Sequence, residues 1–279
     1  MARLFRLLAL AIAALLLAGA TACSDDDGDD PGGASPPAAT SSPPTAAPAS
    51  PSPTATVTYE VWYQLDKRLF LSTRTEPATA RVGTAAIEAL LAGPSDIEAG
   101  ANVTSSVPAG TALNGLTIED GIAVVDLTAE FASSGSRLRV AQVVYTLTQF
   151  PTVEGVVIAI DGESAAGEPQ SRRDFKDLLP AILVTAPSMG ATVSSPVTIA
   201  GTANVFEATV SLRILDADGN EIARDFTTAT CGTGCRGDYS TTLKFDIGSE
   251  QPGTIEVFEE SAEDGSDINV VSIPVVLAP

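Results

Sequence analysis

Helix-period hydrophobic patterning stops at Pro180, and this break limits how the 279-residue chain can fold. Before it, strand-period and helix-period segments alternate. Val57–Leu65 alternates and is rich in aromatic and β-branched residues, which predicts a strand. Leu69–Glu76 predicts a second, after the polar turn Asp66-Lys67-Arg68. In Val82–Leu91, Ile87, Leu90 and Leu91 fall on one helical face, and Gly93-Pro94 stops the helix. Leu113–Glu119 and Ile122–Leu127 predict a hairpin closed by Glu119-Asp120-Gly121. Leu138–Phe150 predicts a helix with Val140, Val143, Val144 and Leu147 on its buried stripe, ended by Pro151. Val153–Ile160 is the last apolar strand. The order β-β-α-β-β-α-β is an α+β domain over residues 57–165.

Residues 166–181 read as a connector with helical character around Arg172–Pro180. Beyond it only strand patterning remains: Ile182–Thr185, Val197–Ala203, Thr209–Leu215, Glu221–Thr228, Gly237–Phe245, Gly253–Glu260 and Ile268–Leu277. Asp218-Gly219-Asn220 supplies a hairpin turn. Short strands at this spacing predict an all-β immunoglobulin-like sandwich over residues 182–279.

The first 22 residues have signal-peptide organisation: Arg3 and Arg6, then the apolar run Leu7–Leu17, then small residues. The run falls short of the roughly 20 residues that span a bilayer. Ala20-Thr21-Ala22-Cys23 resembles a lipobox, in which the cysteine is acylated before cleavage; the alternative is an ordinary leader with an A-x-A-like site. Acylation of Cys23 predicts an extracytoplasmic protein held by lipid on the outer face of the cytoplasmic membrane. Residues 23–56 are rich in Pro, Ala, Ser and Thr and have no apolar period, so they predict a disordered tether. Extended, it reaches on the order of 100 Å. Asp25, Asp26, Asp27, Asp29 and Asp30 fit a solvated spacer better than a cation site.

The formal charge of −20 repels phosphate backbones, which argues against nucleic-acid partners. The absence of histidine excludes Ser-His-Asp and Cys-His catalysis and histidine-ligated metals. No cofactor is expected. Cys231 and Cys235 enclose Gly-Thr-Gly, and in an exported chain they predict a disulfide. Asp216-Ala217-Asp218-Gly219-Asn220 has the start of a calcium loop but Thr227 at its twelfth position, so a β-turn is the better reading. Arg236-Gly237-Asp238 matches an adhesion tripeptide by chance.

Three stretches, 85–94, 105–131 and 137–162, resemble the sporulation and spore germination (GerMN) family. Leu90-Leu91-Ala92-Gly93-Pro94, Val107-Pro108-Ala109-Gly110-Thr111, Val124-Val125-Asp126-Leu127 and Tyr145-Thr146-Leu147-Thr148-Gln149-Phe150 carry the likeness. Residues 182–277 resemble the immunoglobulin-like domain of bacterial spore germination, through Pro187, Gly190, Pro196, Gly201, Ala203, Phe206, Glu207, Gly234, Arg236 and Gly237. The first resemblance implies an extracytoplasmic lipoprotein with no established catalytic residues, and the second implies binding. Structural roles are expected for most motif residues, with Tyr145 and Thr148 at a helix surface and Asp126 facing away from Val125 and Leu127. The leading expectation is a non-catalytic surface protein that binds or scaffolds an envelope protein or cell-wall glycan. One alternative is a wall hydrolase using Asp126 with Glu130, or Glu259 with Glu260, although adjacent strand residues point to opposite faces. Another is contact regulation of an envelope sensor kinase.

Overall fold

The computed structural model describes residues 55–133, 135–164 and 167–279. The leader, Cys23 and nearly all of the tether lie outside the described residues. Strand β1 (Thr56–Leu65) pairs antiparallel with β2 (Arg68–Pro77) through a two-residue turn. Asp66 and Lys67 both have positive φ, 48° and 62°, the turn geometry that follows strand twist. Helix α1 (Val82–Ala92) buries Ala86, Ile87 and Leu90, and Leu91 is only half-buried. It ends at Gly93, as the sequence predicts. Helix α2 (Asp96–Gly100) has one turn, too short to show a hydrophobic period. Its signal was the capping box, Ser95 with Glu98, in which each side chain bonds the other's backbone amide.

Strands β3 (Leu113–Glu119), β4 (Ile122–Leu127), β5 (Gly155–Ile160) and β6 (Glu163–Ser164) form one sheet in that order. β4 and β5 run parallel, joined through helix α3 (Arg137–Leu147). α3 stops at Leu147, three residues before the predicted end at Phe150. A helix running through Pro151 would drive the proline ring into the Leu147 carbonyl. The buried surface of α3 is not a stripe. Every residue from Ala141 to Leu147 is buried, Gln142 and Thr146 included, whereas Val140 is only half-buried. The polar members have specific partners, described below.

Connector residues Arg172–Leu178 form 3₁₀ turns that pack on α3. Then β7 (Ile182–Ala186), β8 (Thr192–Ser194), β9 (Val197–Ala203), β10 (Thr209–Leu215), β11 (Glu221–Thr228), β12 (Gly237–Leu243), β13 (Gln251–Glu260) and β14 (Asp267–Ala278) build two sheets. Their orders are β12-β9-β7 and β11-β10-β13-β14-β8. The seven predicted strands are present. The eighth, β8, has three residues, too few to show a period, and lies parallel to Val276–Ala278. Ile199, Val210, Leu212, Ile214, Ile255 and Val257 fill the space between the sheets without solvent exposure. Among the described residues, no helix is long and apolar enough to cross a membrane.

The α+β fold and the sandwich belong to one compact unit. Arg68 donates to the Asp177 carbonyl, and Thr73 and Ser188 share a hydroxyl hydrogen bond of 2.5 Å. Ile97 of α2 rests on Gly190. A Cβ there would come within 2.7 Å of Ile97 Cδ1, and Gly190 also has φ of +77°. Only glycine satisfies both demands.

Candidate functional site

β1 is paired by β2 on one side only, and α3 serves its other edge with side chains. Gln149 takes the Glu60 amide on Oε1 at 2.6 Å and returns Nε2 to the Glu60 carbonyl at 2.7 Å. Thr146 Oγ1 accepts the Trp62 amide at 3.1 Å, and Gln142 Nε2 donates to the Trp62 carbonyl at 3.1 Å. Backbone bonds of 2.9 Å between Gln64 and Thr104 continue the line. Residues 142, 146 and 149 recur at the helix repeat, so one polar line running from α3 into the turn after it stands in for a strand. Buried backbone groups need partners, which explains two fully buried polar residues in an apolar helix.

Tyr145, expected at a helix surface, is 3% exposed and packs against Trp62 in a tilted pair, with ring centres 4.7 Å and planes 57° apart. The surface expectation fails because the connector covers the ring. The Arg172 guanidinium lies 4.9 Å from the Tyr145 ring centre and 5.4 Å from that of Trp62. Arg172 also bonds Thr148 Oγ1 at 3.0 Å and Glu60 at 3.2 Å, so Thr148 is half-buried. Two aromatic rings, a guanidinium and a carboxylate thus seal the joint between α3, β1 and the connector.

A second polar cluster lies beside the sandwich. Glu98, 3% exposed, meets Arg74 at 2.7 Å, bonds the Ser72 hydroxyl and accepts the Ser95 amide at 2.7 Å. Burial alone would raise the Glu98 carboxyl, but Arg74, Ser72 and Ser95 hold it below the usual carboxylate range. Arg74 also lies over the Tyr63 ring, whose single hydroxyl proton is shared between the Ala89 and Gly93 carbonyls at the end of α1. Burial pushes the Tyr63 phenol up to about 12, so it remains a donor at neutral pH.

The candidate carboxylates are individually committed elsewhere. Asp126, half-buried on β4, accepts the Gly162 amide at 3.0 Å. Glu130 is exposed on a 3₁₀ turn, and a hydrogen bond with the Thr128 side chain lowers its pKa. Glu259 is 8% exposed and accepts the Phe206 amide and Asn269 Nδ2, both at 2.8 Å. Glu260 is exposed and meets Arg224 at 2.7 Å. Each bond ties one loop or strand to its neighbour. Asp216 Oδ1 accepts the Asp218 and Asn220 amides, which is the β-turn reading of that segment. Among the described residues, no group of three or more Cys, Asp and Glu side chains could hold a metal ion.

Cys231 and Cys235 are disulfide-bonded, with Cα atoms 5.8 Å apart. The ring is clasped to the loop before β10: Thr233 donates its amide to the Val205 carbonyl at 2.9 Å, and Gly234 to Asn204 Oδ1 at 3.0 Å. Arg236 is no free adhesion residue, since it bonds Thr202 and the Pro180 carbonyl.

Two further features were not read from the sequence. One is a cleft of about 300 Å³ at the seam between the folds, lined by Leu65, Phe70, Leu179, Val184 and Val270. The other surrounds Phe258. Alternation along β13 puts Phe258, with Glu256, on the face opposite Ile255 and Val257, and the register shift against β14 follows it. Arg213 and Arg224 cover its ring, at 4.7 and 5.1 Å from the centre. The exposed Phe226 nearby shares a face of β11 with Ile222 and Arg224, so alternation alone does not mark it as exposed.

Residues 50–166 match the family model described as sporulation and spore germination, and residues 181–266 match that of the immunoglobulin-like domain of bacterial spore germination. No curated protein matches the sequence. Among solved structures, the tandem GerMN domains of the sporulation protein GerM from Bacillus subtilis are 20% identical, with a TM-score of 0.38. That match covers 80% of this chain and 61% of the other, so this chain spans less than two thirds of that structure's length. The first GerMN domain of GerM is 25% identical, over 42% of this chain and 95% of that one, with a TM-score of 0.32. A putative lipoprotein from Clostridium perfringens is 20% identical, over 44% and 93%, with a TM-score of 0.31. By the two family models, residues 50–166 are a sporulation and spore germination domain and residues 181–266 an immunoglobulin-like domain of bacterial spore germination.

Proposed function

We propose that the protein is a non-catalytic binding or scaffolding protein of the cell surface, held to the outer face of the cytoplasmic membrane by acylated Cys23. One observation carries this reading: two domains of spore-germination families are packed as one unit with a recessed seam between them. Fixed contacts such as Thr73–Ser188 and Ile97 on Gly190 preorganise the seam, and preorganisation lowers the entropic cost of binding. The partner is an envelope protein or wall glycan within reach of the tether. The test is crosslinking in intact cells of the source bacterium, followed by recovery of the chain and mass spectrometry. Envelope proteins or wall fragments are expected. Recovery of cytosolic proteins alone, or an unacylated N-terminal thiol, would overturn the reading.

A further inference from the structure

Four of the six large apolar side chains that stand exposed among the described residues belong to the sandwich: Phe206, Phe226, Ile268 and Val270. Phe226 is the most exposed, at 65%. It sits in an open depression of about 520 Å³ with Thr209, Ser211, Arg224, Asp225 and Glu260. Its strand, β11, is the last of the five-stranded sheet and pairs only with β10 among the described strands. An aromatic side chain left in water on an unpaired edge marks an interaction surface.

The surrounding charge says what kind of partner fits. Arg224 is bound by Glu221 at 3.3 Å and Glu260 at 2.7 Å. Arg213, one strand further in, is bound by Glu256 at 2.6 Å and Asp267 at 2.8 Å. Carboxylates therefore outnumber guanidiniums two to one, and Asp225 adds another. Both arginines are already engaged, so they do not recruit an anion. A second copy of the chain would bring the same excess of carboxylate, and like charge opposes that pairing. Anionic wall polymers meet the same repulsion. A lysine or arginine side chain is complementary: its stem lies on the Phe226 ring, its charge gains from the ring face, and the same depression is lined by Asp225, which also accepts the Phe226 amide at 2.8 Å, and by Glu260, which Arg224 only partly neutralises since Glu221 shares that guanidinium.

We propose that this face binds a basic, extended segment of a partner protein, with Phe226 as the platform for a cationic side chain and the β11 edge as the rail for its backbone. The inference rests on the binding role proposed above and names the partner's chemistry.

The test uses the full chain and two fluorescein-labelled peptides, one alternating lysine with threonine and one alternating glutamate with threonine, read by fluorescence anisotropy at low and high salt. The lysine peptide is expected to bind, more weakly at high salt, and the glutamate peptide is not. Phe226→Ala should weaken binding by on the order of tenfold. Its urea midpoint should not change, because the ring is exposed. Glu260→Gln should also weaken binding. Equal binding by the wild type and Phe226→Ala, or equal binding of the two peptides, would overturn the proposal. So would a dimer, seen by sedimentation, that Phe226→Ala dissolves. An envelope crosslink that survives Phe226→Ala would overturn this inference and leave the broader binding role standing.

Discussion

If α3 replaces a strand beside β1, then removing one side-chain acceptor should cost what an orphaned backbone amide costs. Thr146→Val keeps the shape of the side chain and deletes the Oγ1 that accepts the Trp62 amide at 3.1 Å. Thr146 is fully buried, so water has no access to replace the lost partner. An unsatisfied buried donor costs about 1–3 kcal/mol. The extra methyl carbon offsets under about 1 kcal/mol of this by transfer. We therefore expect a net loss of about 1–2 kcal/mol. Trp62 is the only tryptophan of the chain, is buried against Tyr145, and lies beside the lost bond. Its fluorescence in a urea titration reads unfolding of the α+β domain directly. The midpoint should fall with an unchanged slope, since the surface exposed on unfolding is the same. A shift of less than about 0.3 kcal/mol, below the usual size of a hydrogen-bond effect, would refute the idea that α3 completes the β1 edge.

The remaining expectations follow the same logic. Arg74→Met strands the Glu98 carboxylate in a buried site and should cost about 3–5 kcal/mol at neutral pH, measured by urea unfolding. Glu98's folded pKa is depressed, so its stabilisation is present above the ordinary carboxyl range and is lost as pH falls through the lowered value. The gap between wild type and Arg74→Met should accordingly narrow in acid. Lys67→Gly relieves a positive φ of 62° at the β1–β2 turn and should raise stability by roughly 0.5–1 kcal/mol, visible as a higher melting temperature. Gly201→Ala would push a Cβ into the Leu183 carbonyl and the Tyr239 ring, so the sandwich should fail to fold, seen as lost near-ultraviolet circular dichroism. Thiol titration of the denatured, unreduced chain should find no free thiol from Cys231 and Cys235, and two would refute the bond; replacing both with serine should cost about 2 kcal/mol or less.

The elements that sequence disclosed are those whose cause is local. Asp120-Gly121 and Asp218-Gly219 form turns within a few residues, and β9 alternates over its whole length, so its bounds match expectation. The features that stayed hidden have partners far along the chain. Gln142 and Thr146 look like the wet face of a helix until Trp62, 80 and 84 residues away, is brought beside them. Tyr145 looks exposed until Arg172, 27 residues later, folds over it. Phe258 alternates onto the outer face with Glu256 and looks exposed until Arg213 of β10 and Arg224 of β11 close over it. In each case the sequence pattern reports how a side chain would sit on an isolated element, whereas the structure is decided by which backbone or guanidinium group still needs a partner. The same reasoning applies to Phe226. Arg213 and Arg224 cover Phe258, whereas the Phe226 side chain is 65% exposed. On one sheet, then, one aromatic ring lies under two guanidiniums and another stands open where carboxylates outnumber guanidiniums, which is the arrangement expected where the missing lid is a cation brought by a partner.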